Sequence, residues 1–265
     1  MHFRRSRCTF AHVSRELEPR LHPPVRPVAG SGRVTGVVLL AHGGKERSHR
    51  PPRPRGGPVQ RVRMIARAVA PRLAEHGVAV HTMCFRYQGW NDGERAPVPD
   101  VRWAVGQLAA RYGGVPLVLA GHSLGGRAVV NAADAPGVVG VLGLAPWLPP
   151  GEPTAQLAGR RLLLAHGTQD RVTSPRSSFE YAARARAEGH DVARIVLPGS
   201  GHALLARARD WNRLVLAFTS SCLDGAIDGA ALPSPRYADV VAEAFEAGAP
   251  EGLQRVLVSD GRVRT

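Results

Sequence analysis

Short apolar runs alternate with stretches of helical spacing along most of this chain. The runs are rich in valine and leucine, and several end at glycine. Such runs are typical of buried parallel strands, because both faces of a parallel sheet are covered by other elements. They predict strands at 34–41, 78–85, 116–120, 138–144, 161–165 and 192–197.

Between these runs, apolar residues recur with the period of an amphipathic helix. In the first such segment Val62, Ile65, Val69 and Leu73 fall on one helical face. The pattern predicts helices at 59–76, 100–112, 124–135, 175–188 and 203–222. Strand–helix alternation implies right-handed crossovers onto a single sheet. We therefore expect an α/β fold, with a mostly parallel sheet of about six strands and helices on both faces.

The two ends of the chain differ from its centre. Residues 1–33 mix arginine, histidine and proline without periodicity, and we expect a disordered leader there. A targeting segment, or a start codon placed too far upstream, would have the same composition. Residues 223–265 are acidic, with a helical pattern at 237–247 and a short strand candidate at 256–258. We expect one domain at 34–222, followed by a partly helical appendage.

Composition narrows the class of protein. The 265 residues are 44% hydrophobic, which is enough to form a core. No apolar run reaches the roughly 18 residues that span a bilayer, so we predict no membrane partner. The cysteines, Cys8, Cys84 and Cys222, fit no metal spacing. We predict a reduced, cytoplasmic protein that carries no metal and no cofactor.

The net charge of +14 suggests a nucleic-acid partner at first sight. Lys45 is the only lysine, however, and so strong a bias to arginine fits codon composition better than selection for phosphate binding. Seven arginines against two glutamates give residues 1–33 a charge of +5, and seven basic residues against one glutamate give residues 45–63 a charge of +6. Much of the charge thus lies in a tail and a loop, and we predict no nucleic-acid partner.

One motif carries the chemistry. The segment Gly121-His122-Ser123-Leu124-Gly125 follows a predicted strand and begins a predicted helix, which is the context that G-x-S-x-G requires. There the serine lies on a strained turn, and glycines allow the strand and the helix to approach closely. The N-terminal end of the helix favours developing negative charge, and the Leu124 N–H is a candidate oxyanion donor.

A nucleophilic serine needs a base and an acid that orients this base. Asp170 follows one predicted strand and His202 follows the next, so both reach the sheet edge that carries Ser123. Asp170 could instead cap the segment after it, in which case another acid would serve. The second oxyanion donor is expected from the turn after the first strand, as the N–H of Gly44 or, failing that, of Lys45.

With these residues in this order the sequence resembles the α/β-hydrolase family over roughly residues 34–222. The resemblance rests on Gly121-His122-Ser123-Leu124-Gly125-Gly126, His166-Gly167-Thr168-Gln169-Asp170 and Gly201-His202. It implies a serine hydrolase with Ser123 as nucleophile, Asp170 as acid and His202 as base, acting on a small-molecule ester, thioester or amide. The short chain is similar to dienelactone hydrolases and small esterases, although dienelactone hydrolases usually have a cysteine in place of Ser123.

Other residues near the motifs have more ordinary expected roles. His42, His122 and His166 flank the motifs, and we interpret them as packing or hydrogen-bonding residues. Trp90 and Trp147 lie in loops at the predicted active edge and are candidates to line the substrate pocket.

The connection after the strand at 138–144 is too short for a helical cap domain, since 47 positions separate Ser123 from Asp170. We expect a cap-less fold with an open cleft. Its walls would come from loops 45–58 and 86–99 and from the loop of Trp147.

Three alternatives stay open. A perhydrolase, thioesterase or peptidase would share every motif named above. A catalytically inactive member would keep the fold, and a basic nucleic-acid binder would show salt-dependent binding. The charge has one further use: Arg47, Arg50, Arg53 and Arg55 follow the oxyanion turn and would favour anionic substrates. The sequence does not specify the acyl group or the oligomeric state.

Overall fold

A computed structural model describes residues 17–28, 33–223, 235–247, 253, 255–257 and 263–264. The strands are β1 Arg20–Leu21, β2 Gly36–Ala41, β3 Val78–Cys84, β4 Leu117–His122, β5 Val138–Leu144, β6 Arg161–Gly167, β7 Val192–Leu197, β8 Arg255–Leu257 and β9 Val263–Arg264. The helices are α1 Gly57–Glu75, α2 Pro97–Tyr112, α3 Leu124–Asn131, α4 Pro175–Ala187, α5 Ala208–Cys222 and α6 Pro235–Glu246.

The strands form one sheet in the order β1-β3-β2-β4-β5-β6-β7-β8-β9. Pairing is parallel from β3 to β8, and only the short edge strands β1 and β9 pair antiparallel. The six predicted strands are its centre. The predicted α/β class with a mostly parallel sheet is confirmed.

Both faces of the sheet are covered, as the continuous apolar runs predict. In β2, Val38 and Leu40 point into a core under α1, α5 and α6, while Val37 and Leu39 point into a core under α2, α3 and α4. All four side chains are buried. This two-sided burial explains why the central strands show no alternation of apolar and polar residues.

The helix that follows β7 is shorter than predicted. α5 begins at Ala208 rather than at residue 203, because Leu204 and Arg207 have φ angles of 55° and 62°, which an α-helix cannot contain. The stretch that carries His202 is therefore an irregular loop at the carboxyl edge of the sheet.

The connection between β5 and β6 contains no cap domain. Its described secondary structure is a short 3-10 helix at Ala155–Leu157. Among the described residues no helix is long and apolar enough to cross a membrane.

Both chain ends differ from expectation where they are described. Leu21 pairs with Met83 in β1, and the N–H groups of His22 and Val25 donate to β3, so residues 20–25 lie along the sheet edge. Residues 1–16 and 29–32 of the predicted leader lie outside the described residues. At the other end β8 extends the sheet beside β7, and α6 packs on α5. The predicted appendage thus contributes to the core, because an apolar face on α6 covers what would otherwise be an exposed face of α5.

The burial of Leu257 in β8 gives a test of this C-terminal contribution. Leu257→Ala should lower the free energy of unfolding by about 2–5 kcal/mol, as for other fully buried leucines. Leu205→Ala is the matched control, since Leu205 is 59% exposed and its truncation should cost less than about 0.5 kcal/mol. Urea denaturation measures both. Equal midpoints for the two variants would mean that residues 255–257 do not belong to the cooperative unit.

Candidate active site

Ser123 lies on a strained turn between β4 and α3. Its φ of 57° and ψ of −119° are unfavourable for any residue with a side chain. The turn is held on both sides: the Ser123 N–H donates to the Leu144 carbonyl at 3.1 Å, and the Ser123 carbonyl accepts from the N–H of Arg127 at 3.2 Å and of Trp147 at 3.1 Å. No backbone polar group of Ser123 is left unpaired.

The glycines of the motif allow this turn to pack against its neighbours. A Cβ at Gly121 would lie 2.2 Å from the Gly125 carbonyl oxygen, and a Cβ at Gly125 would lie 2.4 Å from the carbonyl oxygen of Ala41. A Cβ at Gly126 would lie 2.7 Å from Pro146 Cβ. Side chains at these positions would collide mostly with backbone, which cannot rotate away.

The structure brings Ser123, His202 and Asp170 into one hydrogen-bonded chain. His202 Nε2 lies 3.0 Å from Ser123 Oγ, and His202 Nδ1 lies 2.8 Å from Asp170 Oδ2. The Asp170 side chain is fully buried, whereas the His202 side chain is 18% exposed. The acid is sealed from water and the imidazole is accessible, as general base chemistry at a surface cleft requires.

The loops that carry the acid and the base are joined to each other. The Gln169 N–H donates to the Ser200 carbonyl at 3.0 Å, and the Gly199 N–H donates to Thr168 Oγ1 at 3.0 Å. A Cβ at Gly167 would lie 2.1 Å from the Ser200 carbonyl oxygen. Parallel pairing of β6 with β7 thus continues into their loops and fixes the position of the imidazole relative to the carboxylate.

Asp170 is held as a carboxylate by five donors. Oδ1 accepts the N–H groups of Val172 at 2.8 Å and Thr173 at 2.9 Å, and Oδ2 accepts the Thr173 hydroxyl at 2.8 Å as well as His202 Nδ1. His166 Nε2 lies 3.3 Å from Oδ2. Burial by itself would raise the pKa of Asp170, but the hydrogen bonds from His166, His202, Thr173 and Val172 outweigh it and lower the pKa well below its usual range.

His166 links this carboxylate to the core. Its side chain is fully buried, and its Nδ1 lies 2.9 Å from Ser178 Oγ. Burial lowers the pKa of His166, so the ring is neutral. Behind Ser178 lies the buried Arg194, whose guanidinium donates to Ser178 Oγ at 3.2 Å and to the Pro175 carbonyl at 2.9 Å.

His42 and His122 are hydrogen-bonding residues of the loops, as predicted for them. His42 Nδ1 donates to the Gly43 carbonyl at 2.7 Å, and its Nε2 accepts the Phe85 N–H at 3.3 Å. His122 Nε2 donates to the His202 carbonyl at 2.8 Å. Burial lowers the pKa of His42 to about 4, and burial together with the nearby His202 lowers that of His122 to about 3.

The candidate oxyanion donors lie next to Ser123. Among the described residues no protein acceptor is found for the N–H of Leu124 or of Gly44. The Lys45 N–H, the second choice from the sequence, instead donates to the Gln88 carbonyl at 2.7 Å. A Cβ at Gly44 would lie 2.3 Å from the same carbonyl oxygen, so this turn also requires a glycine.

The two tryptophans predicted to line the pocket do not line the cavity at Ser123. Both rings contact Arg127, whose Cζ is 3.8 Å from the ring centroid of Trp90 and 4.4 Å from that of Trp147, and the two rings meet edge to face. The Arg127 guanidinium pairs with the buried Glu152, with Nε 2.8 Å from Oε1. The indoles therefore support α3, the helix that begins at Leu124.

A cavity of about 310 Å³ opens in front of Ser123. It is lined by Gly43, Gly44, Gly57, Pro58, Arg61, His122, Ser123, Val172, His202 and Ala203. Of the predicted walls, loop 45–58 contributes through its last two residues, whereas no residue of loop 86–99 lines this cavity.

Within the described ranges, no three His, Cys, Asp or Glu side chains are arranged to hold a metal ion. Cys84 and Cys222 are free thiols, and Cys8 lies outside the described residues.

Sequence reasoning missed several residues of the site. Thr173 contacts both Asp170 and His202, and Arg61 lines the cavity. Asp170 accepts the N–H groups of Val172 and Thr173, so the capping role considered for Asp170 could have indicated this segment. Arg61 has no such signal, because it occupies the polar face of a helix where an arginine is ordinary.

The close contact of Gly125 with the backbone of residues 41 and 42 predicts that one added methyl group strongly destabilises the fold. Gly125→Ala should lower the free energy of unfolding by about 3 kcal/mol or more and abolish any activity that depends on Ser123, because the new Cβ meets two carbonyl oxygens of the oxyanion turn. Gly106→Ala in α2 is the control: nothing lies within 4 Å, and it should add about 0.5–1 kcal/mol. Gly125→Ala with wild-type stability by urea denaturation would contradict the described packing.

The buried neutral histidines predict an acid-labile fold. The folded-state pKa of His42 lies below its unfolded value, so its contribution is complete above about pH 6.5 and is lost as pH falls toward 4. The free energy of unfolding should therefore fall between pH 7 and pH 4.5, with His42 supplying of the order of 2 kcal/mol of the fall.

Urea midpoints at pH 7, 5.5 and 4.5 measure this fall. His42→Gln should have a visibly smaller difference between pH 7 and pH 4.5 than the wild type, whatever its absolute stability. An unchanged difference would contradict the neutral, doubly hydrogen-bonded state of His42.

Comparison with known proteins agrees with this architecture. Residues 147–226 match the model of the prolyl oligopeptidase family. No curated protein matches the sequence.

Several solved structures resemble the chain. They include an α/β serine hydrolase homologue from Coxiella burnetii, at 16% identity and TM-score 0.55 over 75% of this chain and 89% of that one. A serine hydrolase without a lid from Xanthomonas campestris is 19% identical, with a TM-score of 0.51 over 82% of this chain and 90% of that one. A thermophilic esterase from Thermogutta terrifontis, with butyrate bound, is 15% identical, with a TM-score of 0.52 over 77% of this chain and 88% of that one.

These likenesses, together with the sheet order and the strand–turn–helix at Ser123, identify the fold: the chain has the α/β-hydrolase fold, in its compact form without a cap.

Proposed function

We propose that this protein is a serine hydrolase that cleaves a carboxylic ester or thioester of a small molecule through an acyl-enzyme. The observation that carries the proposal is the hydrogen-bonded chain from Asp170 through His202 to Ser123, at 2.8 Å and 3.0 Å, beside an open cavity. A serine hydroxyl is a weak nucleophile, and this arrangement is the one that activates it.

The first half of the reaction forms the acyl-enzyme. Because Asp170 accepts the Nδ1–H of His202, the Nε2 of the imidazole is free to take the proton from Ser123 Oγ. Oγ attacks the substrate carbonyl, and the oxyanion forms next to the N–H groups of Leu124 and Gly44. The imidazolium returns its proton to the leaving alkoxide or thiolate, and Ser123 is left acylated.

The second half uses the same groups in reverse. Water enters the open cleft, and His202 takes one of its protons as the hydroxide attacks the acyl carbon. The tetrahedral intermediate collapses, Ser123 recovers its proton from His202, and the carboxylic acid leaves. Asp170 stabilises the imidazolium in both halves, and its depressed pKa keeps it ionised throughout.

The form of the cleft supports a small substrate. A cavity of about 310 Å³ is large enough to hold an acyl group or a short alcohol. The esterase from Thermogutta terrifontis, which resembles this chain in fold, has butyrate bound, and this likeness favours short acyl esters.

A peptidase is the second candidate, since residues 147–226 match the prolyl oligopeptidase family and include Asp170 and His202. The matched segment does not include Ser123 or the oxyanion turn. Esters and amides differ chiefly in the leaving group, so substrates matched in their acyl group discriminate between the two activities.

Turnover of p-nitrophenyl butyrate and butyryl p-nitroanilide tests the proposal. The wild type should hydrolyse the ester without measurable turnover of the anilide. Turnover of the anilide would favour a peptidase, because the activated ester is the easier substrate for either enzyme and only cleavage of the amide discriminates between them. Ser123→Ala should lower the kcat for the ester by about six orders of magnitude, as loss of the nucleophile does in serine proteases. Ser177→Ala, outside the cleft, is the matched control. Wild-type ester turnover in Ser123→Ala would contradict the proposal.

A further inference from the structure

A second and larger cavity adjoins the one at Ser123. It measures about 680 Å³ and shares Gly43, Gly44 and Pro58 with the first. The two cavities are therefore neighbours across the oxyanion turn. Most of the rest of its wall comes from residues within 45–59 and from Gln88.

The ionised side chains of this second cavity all carry the same charge. Lys45, Arg50 and Arg53 line it, and in the described part of the chain no aspartate or glutamate does. Two acidic side chains of the neighbouring loop are already paired elsewhere: Asp92 with Arg47 at 2.9 Å and Glu94 with His49. Across the described residues, no ion pair is found for Lys45, Arg50 or Arg53.

Arg61 adds a fourth cation on the Ser123 side. It lines the smaller cavity, is half-buried, and among the described residues has no ion-pair or hydrogen-bond partner. Burial lowers the pKa of Arg61, which reflects the loss of hydration around its charge. A partly desolvated cation costs free energy that an anion in the cleft would offset.

The loop that forms the second cavity is held in place. The Gln88 N–H donates to the Arg50 carbonyl at 2.9 Å, and the Gly56 N–H donates to the Arg53 carbonyl at 2.8 Å. Gln60 Nε2 donates to the Pro54 carbonyl at 2.8 Å. The backbone beneath the arginines is thus preorganised, which lowers the entropic cost of binding a ligand there.

We propose that this second cavity binds an anionic group, a carboxylate or a phosphate, of the substrate whose ester lies at Ser123. The inference rests on the proposed function for the ester and on the cavity for the anion. Arg47 and Arg55, which the sequence also suggested, line neither cavity, whereas Arg61, which it did not suggest, lines the smaller one at Ser123. Guanidinium groups suit both anions because they bind either one in a bidentate manner.

Two pairs of esters test the preference, one for each side of the scissile bond. For the acyl side, p-nitrophenyl hydrogen glutarate is compared with p-nitrophenyl methyl glutarate. For the alcohol side, 4-acetoxybenzoate is compared with its methyl ester. In at least one pair the anionic member should have a kcat/KM about tenfold higher or more, and the ratio should fall as salt is raised.

Variants identify the residues responsible. Arg50→Gln/Arg53→Gln should lower the anionic-to-neutral ratio of kcat/KM about tenfold, and Arg61→Gln should lower it as well. Arg55→Gln is the matched control, an exposed arginine of the same loop outside both cavities, and should keep the wild-type ratio. A ratio near one in both wild-type pairs, or an equal fall in Arg55→Gln, would overturn the inference.

A binding measurement separates this inference from the proposed function. Titration calorimetry of wild-type protein with glutarate and with inorganic phosphate should give saturable binding of at least one anion, weakened about tenfold or more in Arg50→Gln/Arg53→Gln but not in Arg55→Gln. The anion that binds more tightly identifies the substrate group. Anion binding without ester turnover would support the anion site and contradict the proposed hydrolase activity. Ester turnover without anion binding would support the hydrolase activity and contradict the anion site.

Discussion

The strained backbone of Ser123 is the constraint on which the rest of the site depends. A residue with a side chain held at φ 57° and ψ −119° costs of the order of 1–3 kcal/mol, which the surroundings must supply. They do so through β5, which accepts the Ser123 N–H, and through Trp147 and Arg127, which donate to its carbonyl. This backbone conformation directs Oγ from the sheet edge toward His202, with the first turn of α3 directly behind it.

The buried cluster beneath α3 follows from the same constraint. Arg127 donates its backbone N–H to the strained carbonyl, and its guanidinium contacts the rings of Trp90 and Trp147 and pairs with Glu152. A buried ion pair does not by itself stabilise a fold, because the desolvation of both charges offsets their attraction. Here the pair holds α3 in one orientation, and the strained turn at Ser123 directly precedes that helix.

The fold and the chain of Ser123, Asp170 and His202 could be predicted because local rules govern them. Apolar runs predict buried strands, and a polar residue that directly follows a parallel strand is predicted to lie at the carboxyl edge of the sheet. The contacts that the sequence did not predict have a common cause. The pairing of Leu257 with the core and the packing of Trp90 and Trp147 on Arg127 are contacts between distant segments, and neither apolar periodicity nor motif spacing encodes which distant segments meet.

The central claim is that Ser123 is the nucleophile that the strained turn prepares. Reaction of the folded protein with a fluorophosphonate, followed by intact mass and peptide mapping, tests it without any choice of substrate. One adduct per chain, located on the peptide that contains Ser123 and absent after unfolding in urea or in Ser123→Ala, is the expected result. An adduct on another residue, or equal labelling of Ser123→Ala, would contradict the assignment of the turn as a catalytic device.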